Sequence, residues 1–222
     1  MMTAPFGDGS PHVIVRAVAV SGSADIDAAA LGENPEPRIL LGTTRPTAAF
    51  SRRDTHLPGY ERALVVCREH GFEPVIRPVG GRLAAYDEGS LVVHWTAPHR
   101  TAQDFITARF ELFAATLAAA LTKLGVPDVR VGSVPGEYCE GEWSVNTGGT
   151  AKLAGTGQRM NRHGFLFSAV VTVTAPERIR AVLTDAYAVL DLEFEPRSVG
   201  AVADYAPGVT VEDVIDELRA VF

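Results

Sequence analysis

The sequence predicts one mixed α/β (α+β) domain. Strand-like and helix-like segments interleave irregularly, and neither an internal repeat nor a long linker divides them. The 222 residues suffice for one large domain or two small ones. The irregular order argues against a regular doubly wound sheet. Residues 1–11, rich in Gly, Pro and Ser, read as a flexible N-terminus, and residues 12–222 as the folded domain.

The elements follow from local pattern. His12–Val20 (HVIVRAVAV) is β-branched and reads as a strand. SADIDAAA reads as a short helix, Gly32–Pro37 as a turn and RILLG as a short apolar strand. GYERALVVCREHG reads as a helix. Pro58 stands near its start, Tyr60, Leu64 and Cys67 share a face, and Gly71 ends it with His70 in the last turn. EPVIRP is a short strand stopped by Pro78, and LVVHW is a buried strand. The longest helix is expected over Gln103–Leu124. There Ile106, Phe110, Phe113, Leu117, Leu121 and Leu124 recur at helical spacing, and Gly125 and Pro127 stop it. That stripe is a core pattern, since a membrane-surface helix would carry more basic residues. FLFSAVVTV is a strand. TAPERIRAVLTDAYAVL opens with an apparent capping box, Thr174 accepting a backbone N–H while Glu177 reaches back. Ile179, Val182, Leu183, Ala186 and Leu190 form its buried stripe. TVEDVIDELRAVF is a last helix with Thr210 as N-cap.

Composition narrows the function. At 46% hydrophobic and 21% charged the chain is ordinary for a globular protein, long enough to bury about 70% of its unfolded surface. A net charge of −7 argues against a non-specific nucleic-acid binder, which needs surplus cations to displace counterions. Arg38, Arg45, Arg52 and Arg53, within sixteen residues, leave room for a local basic patch. The two cysteines, Cys67 and Cys139, make no disulfide framework, and neither CxxC nor a Cys/His zinc spacing occurs, so no metal ligand is nominated. The first residues lack a basic segment ahead of an apolar run, and no run reaches the roughly 18 apolar residues of a membrane span. The expectation is a cytoplasmic monomer with no nucleic-acid or membrane partner.

Chemistry-bearing motifs are few. GxxxxGK[ST], a complete GxGxxG, GxSxG, HExxH and an Asp-rich calcium loop are all absent. Two glycine-containing segments with cations remain. In IRPVGGRLAAYDEG, Gly80 and Gly81 allow close backbone approach, and Arg77 and Arg82 present guanidinium forks suited to carboxylate or phosphate. The same segment also reads as a tight turn with two solvated arginines. In AKLAGTGQR, Lys152 precedes Gly155, Thr156 and Gly157. Either an edge lysine precedes a turn, or a strand ends in N–H groups that nest an anion beside a point charge.

Together, ~70 residues apart, the two segments resemble the lipoate–protein ligase family, within the biotin/lipoate ligase and octanoyltransferase superfamily. Ile76 to Tyr86 match its Arg-Arg-x-x-Gly-Gly block, with Ile76 in place of the first arginine and Tyr86 in place of the histidine. Lys152-Leu153-Ala154-Gly155-Thr156-Gly157-Gln158-Arg159 is similar to its active-site lysine block. PGEYCEGEWSVN resembles the loop before that lysine, and Phe167, Ser168 and Ala169 stand where the family has His-His-Gly.

The resemblance implies a mixed, mostly antiparallel sheet with helices packed on it. It implies a lipoate–protein ligase that uses ATP with Mg²⁺ to convert lipoate or octanoate to an acyl-adenylate. The acyl group would pass to a lysine of a lipoyl acceptor domain, of the 2-oxoacid dehydrogenase or glycine cleavage type. Lys152 would stabilise developing negative charge. Arg77, Gly80, Gly81, Arg82, Gly155, Thr156 and Gly157 would bind substrate or adenylate. One alternative is octanoyl transfer from acyl carrier protein without ATP, with Cys139 as nucleophile. Against it, Cys139 also reads as a small buried residue, and Glu137, Glu140 and Glu142 beside it would raise its pKa. The other alternative is a non-catalytic protein that binds an acyl ligand.

Overall fold

A computed structural model describes the backbone of residues 12–16 and, with side chains, residues 35–222. The expected loose terminus at 1–11, the second half of the His12–Val20 strand, the SADIDAAA helix and the start of the Gly32–Pro37 turn lie outside the described residues.

Among the described residues, ten strands form two sheets. The larger contains β1 (His12–Arg16), β2 (Arg38–Gly42), β6 (Ser90–Pro98), β7 (Val129–Val131), β8 (Val145–Thr147), β9 (Ala151–Met160) and β10 (Gly164–Thr172) in the order β1-β2-β6-β10-β9-β8-β7. Among the described residues, only its β1–β2 pair is parallel. The smaller, β4-β3-β5, joins β3 (Thr47–Phe50), β4 (Glu73–Ile76) and β5 (Ala84–Tyr86). The helices are α1 (Tyr60–Glu69), α2 (Ile106–Lys123), α3 (Glu177–Val189), α4 (Val202–Tyr205) and α5 (Val211–Arg219). The mixed α/β class and the mostly antiparallel sheet are as expected.

Alternation along the central strands separates two faces. Leu91, Val93 and Trp95 of β6 and Phe165, Phe167 and Val171 of β10 point into one core. There they meet Phe113, Leu117 and Leu121 of α2 and Val214 and Leu218 of α5. Ala102–Lys123 has the length and composition of a membrane-spanning helix, which the apolar-run criterion missed, but this stripe seats α2 on the sheet. The opposite face carries the small sheet, α1 and α3. Its separate core joins Phe50, Ala63, Cys67, Ile179, Val182, Leu183 and Ala186.

Three local expectations need correction. The long helix begins at Ile106, because Ala102–Phe105 winds as a 3-10 turn. Thr174 does not cap α3: Ala175 takes a positive φ of 48° and Pro176 becomes the N-cap, without a side-chain bond. Gly155–Gly157 do not end a strand. They lie inside β9, paired with Val170–Ser168 of β10. Extended backbone sends successive N–H groups to opposite sides, so they cannot converge on one anion. Thr210 does cap α5, its Oγ1 accepting from Asp213 N at 3.2 Å.

Gly59 sets how closely α1 meets α3. A Cβ there would lie 1.7 Å from the carbonyl oxygen of Val189, a backbone atom that cannot swing aside. Gly59→Ala is therefore expected to cost about 1–3 kcal/mol by forcing the helices apart. A drop in the urea midpoint at constant slope checks this.

Candidate active site

The site lies where the two sheets face each other. Lys152 projects from β9 and is 1% exposed. Its Nζ donates to the carbonyls of Tyr138 at 2.9 Å and Cys139 at 3.1 Å, and stands 3.5 Å from Oε2 of Glu137, which is fully buried. The Tyr138 ring lies under the ammonium, 4.5 Å from its centroid. Burial makes Lys152 less basic than usual, and Glu137 opposes that shift. The other carboxylate oxygen of Glu137 accepts from Gly141 N and Ser144 Oγ, both at 2.9 Å.

Cys139 belongs to the same cluster. Its backbone takes a left-handed φ of 45°. Tyr187 Oη fixes it by accepting from Cys139 N and donating to Leu83 O, both at 2.8 Å. The sulfur receives two N–H groups at 3.2 Å, from Arg77 Nη2 and from the backbone of Arg82. Burial alone would push this thiol up. Arg77, then Lys152 and the Arg82 N–H, outweigh it and hold the pKa below its ordinary value. The expectation that Glu137, Glu140 and Glu142 raise it is thus overturned. Glu137 turns toward Lys152, while Glu140 and Glu142 are exposed.

Two cavities meet at Cys139. The first, about 780 Å³, lies between the sheets, and Arg77, Lys152, Gly155, Thr156 and Gly157 line it. Its floor crosses the strands: Gly157 of β9 stands opposite Ser168 of β10, which stands opposite His94 of β6. With strands about 4.8 Å apart, that row spans roughly 10 Å. Val79 roofs it, since a Cβ on Gly157 would come within 3.2 Å of Val79 Cγ2. The second cavity, about 840 Å³ and more open, is lined by Gly80, Gly81, Phe110 and Trp143 among others. Cys139, Thr156 and Gly157 border both.

The nominated residues divide accordingly. Arg77, Gly81, Lys152, Gly155, Thr156, Gly157 and Cys139 come together. Gly80 lines only the open cavity, with nothing within 4 Å of its missing side chain. Arg82 contributes its backbone N–H, while its guanidinium turns to Asp54 at 3.4 Å. Four residues escaped the sequence reading: Glu137 as partner of Lys152, Tyr138, Tyr187 and His94. His94 Nδ1 lies 2.9 Å from Ser168 Oγ. Burial, helped by Arg38, lowers its pKa to about 4, so it is a neutral cavity wall at working pH. Alternation within LVVHW could have flagged it. Among the described residues, no group of three His, Cys, Asp or Glu is arranged to hold a metal ion.

The lipoyl protein ligase A/B catalytic domain profile matches residues 27–222. The chain belongs to that family. Among its relatives within the family, it is 31% identical over 137 residues to the octanoyl-[GcvH]:protein N-octanoyltransferase of Geobacillus kaustophilus, covering 62% of this chain and 48% of the relative. The Anoxybacillus flavithermus protein of the same name is 30% identical over 146 residues, covering 66% and 52%. The chain spans about half the length of these curated relatives. The fold of the family is shared with a lipoate protein ligase of T. acidophilum bound to lipoic acid, at a TM-score of 0.70, 16% identity and coverage of 96% and 83%. It is also shared with a lipoate-protein ligase A bound with ATP, at a TM-score of 0.68, 17% identity and coverage of 95% and 83%.

The two cysteines should differ sharply in reactivity. Cys67 is fully buried, and burial raises its pKa to about 12. Cys139 is half-buried with a lowered pKa. Iodoacetamide at neutral pH is expected to modify Cys139 alone, as peptide mass spectrometry would show.

Proposed function

We propose that the protein is an acyltransferase that moves an octanoyl or lipoyl group between lysine side chains of lipoyl-domain proteins, through a thioester on Cys139 and without ATP. The observation that carries this reading is the position of Cys139, which borders both a narrow cavity and an open one and whose sulfur has two N–H groups 3.2 Å away. The narrow cavity suits an extended acyl chain laid across the strands. The open one suits the arrival of an acyl-lysine or a free lysine. The relatives' name, octanoyl-[GcvH]:protein N-octanoyltransferase, supports a protein-to-protein transfer.

In the first half-reaction the thiolate adds to the acyl carbonyl of the donor amide. The S–C bond forms, the C–N bond breaks, and the departing lysine amine takes a proton. In the second half the acceptor amine attacks the thioester, the S–C bond breaks and the amine's proton is released. One amide replaces another, so protons balance. Lys152, a weakened base beside both intermediates, gives the proton and regains it. Its charge also stabilises the oxyanion of each tetrahedral intermediate.

The ligase route differs in the activation step, where ATP would supply the leaving group. Both cations lining the narrow cavity are committed, Lys152 to two carbonyls and Arg77 to Sγ and the Arg82 carbonyl. The open cavity is lined, among the described residues, by neither Lys nor Arg. A triphosphate would have to draw these cations from their present contacts before they met its oxygens.

The test is mass spectrometry of an apo lipoyl domain incubated with the protein and one of three donors: an octanoylated GcvH-type protein, octanoyl-acyl carrier protein, or lipoate with ATP and Mg²⁺. We expect acyl transfer from the first without ATP, with an octanoyl adduct trapped on Cys139. Transfer only in the ATP tube, undiminished in Cys139→Ala, would replace this reading with the ligase.

A further inference from the structure

We propose that Arg77 is a catalytic residue whose guanidinium, seated on the sulfur, holds Cys139 as a resting thiolate, so that the nucleophile needs no imidazole base. This deepens the acyl-transfer reading and rests on it only for the use made of the thiolate.

The geometry is built for that contact. Arg77 Nη2 donates to Sγ at 3.2 Å and to the Arg82 carbonyl at 2.5 Å, while the N–H of Arg82 reaches the same sulfur at 3.2 Å. The guanidinium is thus clamped to the residue that supplies the second donor. Only a glycine at 81 leaves room. A Cβ there would lie 2.5 Å from Sγ and 2.7 Å from Arg77 Nη2, and the residue already has a φ of 105°. On the other side, the left-handed backbone of Cys139, tied down by Tyr187, turns the sulfur toward the arginine. Strain of this kind persists where surrounding structure enforces it. The bonds to Sγ come from Arg77 and Arg82, whereas the cavity's own histidine, His94, faces Ser168.

The titratable and charged groups around the sulfur are Arg77 and Arg82 from the β4–β5 connection, Lys152 from β9, Glu137 and Tyr138 from its own loop, Tyr86 from β5 and Tyr187 from α3. Lys152 is balanced by Glu137 at 3.5 Å. That leaves the Arg77 charge as the one matched to a thiolate. An opposite charge at such a distance shifts an acid by about 1–3 pH units.

The experiment is the pH dependence of iodoacetamide alkylation of Cys139 in the full chain, read by peptide mass for wild type, Arg77→Met, Arg77→Lys and Gly81→Ala. We expect the Arg77→Met midpoint to rise by ~1–3 pH units, Arg77→Lys to restore part of the shift, and acyl transfer by Arg77→Met to recover toward high pH. Gly81→Ala, which displaces the guanidinium and keeps its charge in the chain, should also raise the midpoint, and it serves if Arg77→Met does not fold. An unchanged midpoint in a folded Arg77→Met or Gly81→Ala protein would overturn the proposal. Alkylation requires no acyl donor. A raised midpoint in a protein that never transfers acyl groups would therefore uphold the thiolate pair while defeating the transferase reading.

Discussion

Cys139→Ala is expected to abolish acyl transfer, by about four orders of magnitude or more, while leaving the fold nearly unchanged. The thiol is the covalent carrier of both half-reactions, and nothing else in the cluster can replace it. Lys152 is committed to two carbonyls, and burial raises the pKa of the Tyr138 phenol well above its ordinary value, out of reach of a usable nucleophile. Structurally the change is small. Alanine keeps the Cβ at the same left-handed φ, the Tyr187 bond to the backbone N–H remains, and Arg77 retains the Arg82 carbonyl. The cost is about 1 kcal/mol, for the lost N–H contacts to sulfur. Activity and melting temperature should therefore separate, and a mass assay beside a thermal melt measures both. Cys139→Ser is expected to behave alike, because a hydroxyl lies too far above neutral pH for Arg77 to ionise it. Persistent ATP-dependent transfer by Cys139→Ala would point to the ligase route.

Legibility in the sequence followed the range of the interactions. The stripes of α2 and α3 were readable because one helix face buries as a unit: Phe113, Leu117 and Leu121 on one, and Ile179, Val182, Leu183 and Ala186 on the other. The lysine block was readable because Lys152 and its glycines are contiguous. The reason for those glycines was not. Locally, Gly155 and Gly157 look like a turn. In the fold they are strand positions where a Cβ would press on Lys152 Cε at 3.1 Å or on Val79 at 3.2 Å. The sulfur's environment was misread for the same reason. Glutamates adjacent in sequence suggested a suppressed thiolate, yet side-chain direction sends Glu137 to Lys152. The cation that matters, Arg77, arrives from 62 residues away. Tyr187, 48 residues from Cys139 on the opposite side, carried no local signal at all.

The second large effect concerns Lys152, where stability and catalysis must be pulled apart. Lys152→Ala removes the ammonium 3.5 Å from a Glu137 carboxylate that is fully buried. Breaking such a pair on one side costs about 3–5 kcal/mol, a large part of the 5–15 kcal/mol that holds a typical domain. The single variant is expected to melt far below wild type, and its inactivity would say little about chemistry. Lys152→Met with Glu137→Gln removes both charges together. The glutamine oxygen keeps the bonds from Gly141 N and Ser144 Oγ. Its amide nitrogen takes the place of the oxygen 3.5 Å from Lys152 Nζ, in the neighbourhood of the Tyr138 and Cys139 carbonyls that Nζ leaves. Replacing a buried ion pair with neutral groups of similar volume is often close to neutral in stability, so the double variant should melt within a few degrees of wild type. Transfer should nonetheless fall about 100- to 1,000-fold, the loss expected when a charge aimed at an oxyanion is removed from a desolvated site. A folded double variant that transfers acyl groups within about tenfold of wild type would reduce Lys152 to one half of a structural ion pair, and the oxyanion would then have to be stabilised by the Arg77 guanidinium and the Arg82 N–H that already surround the sulfur.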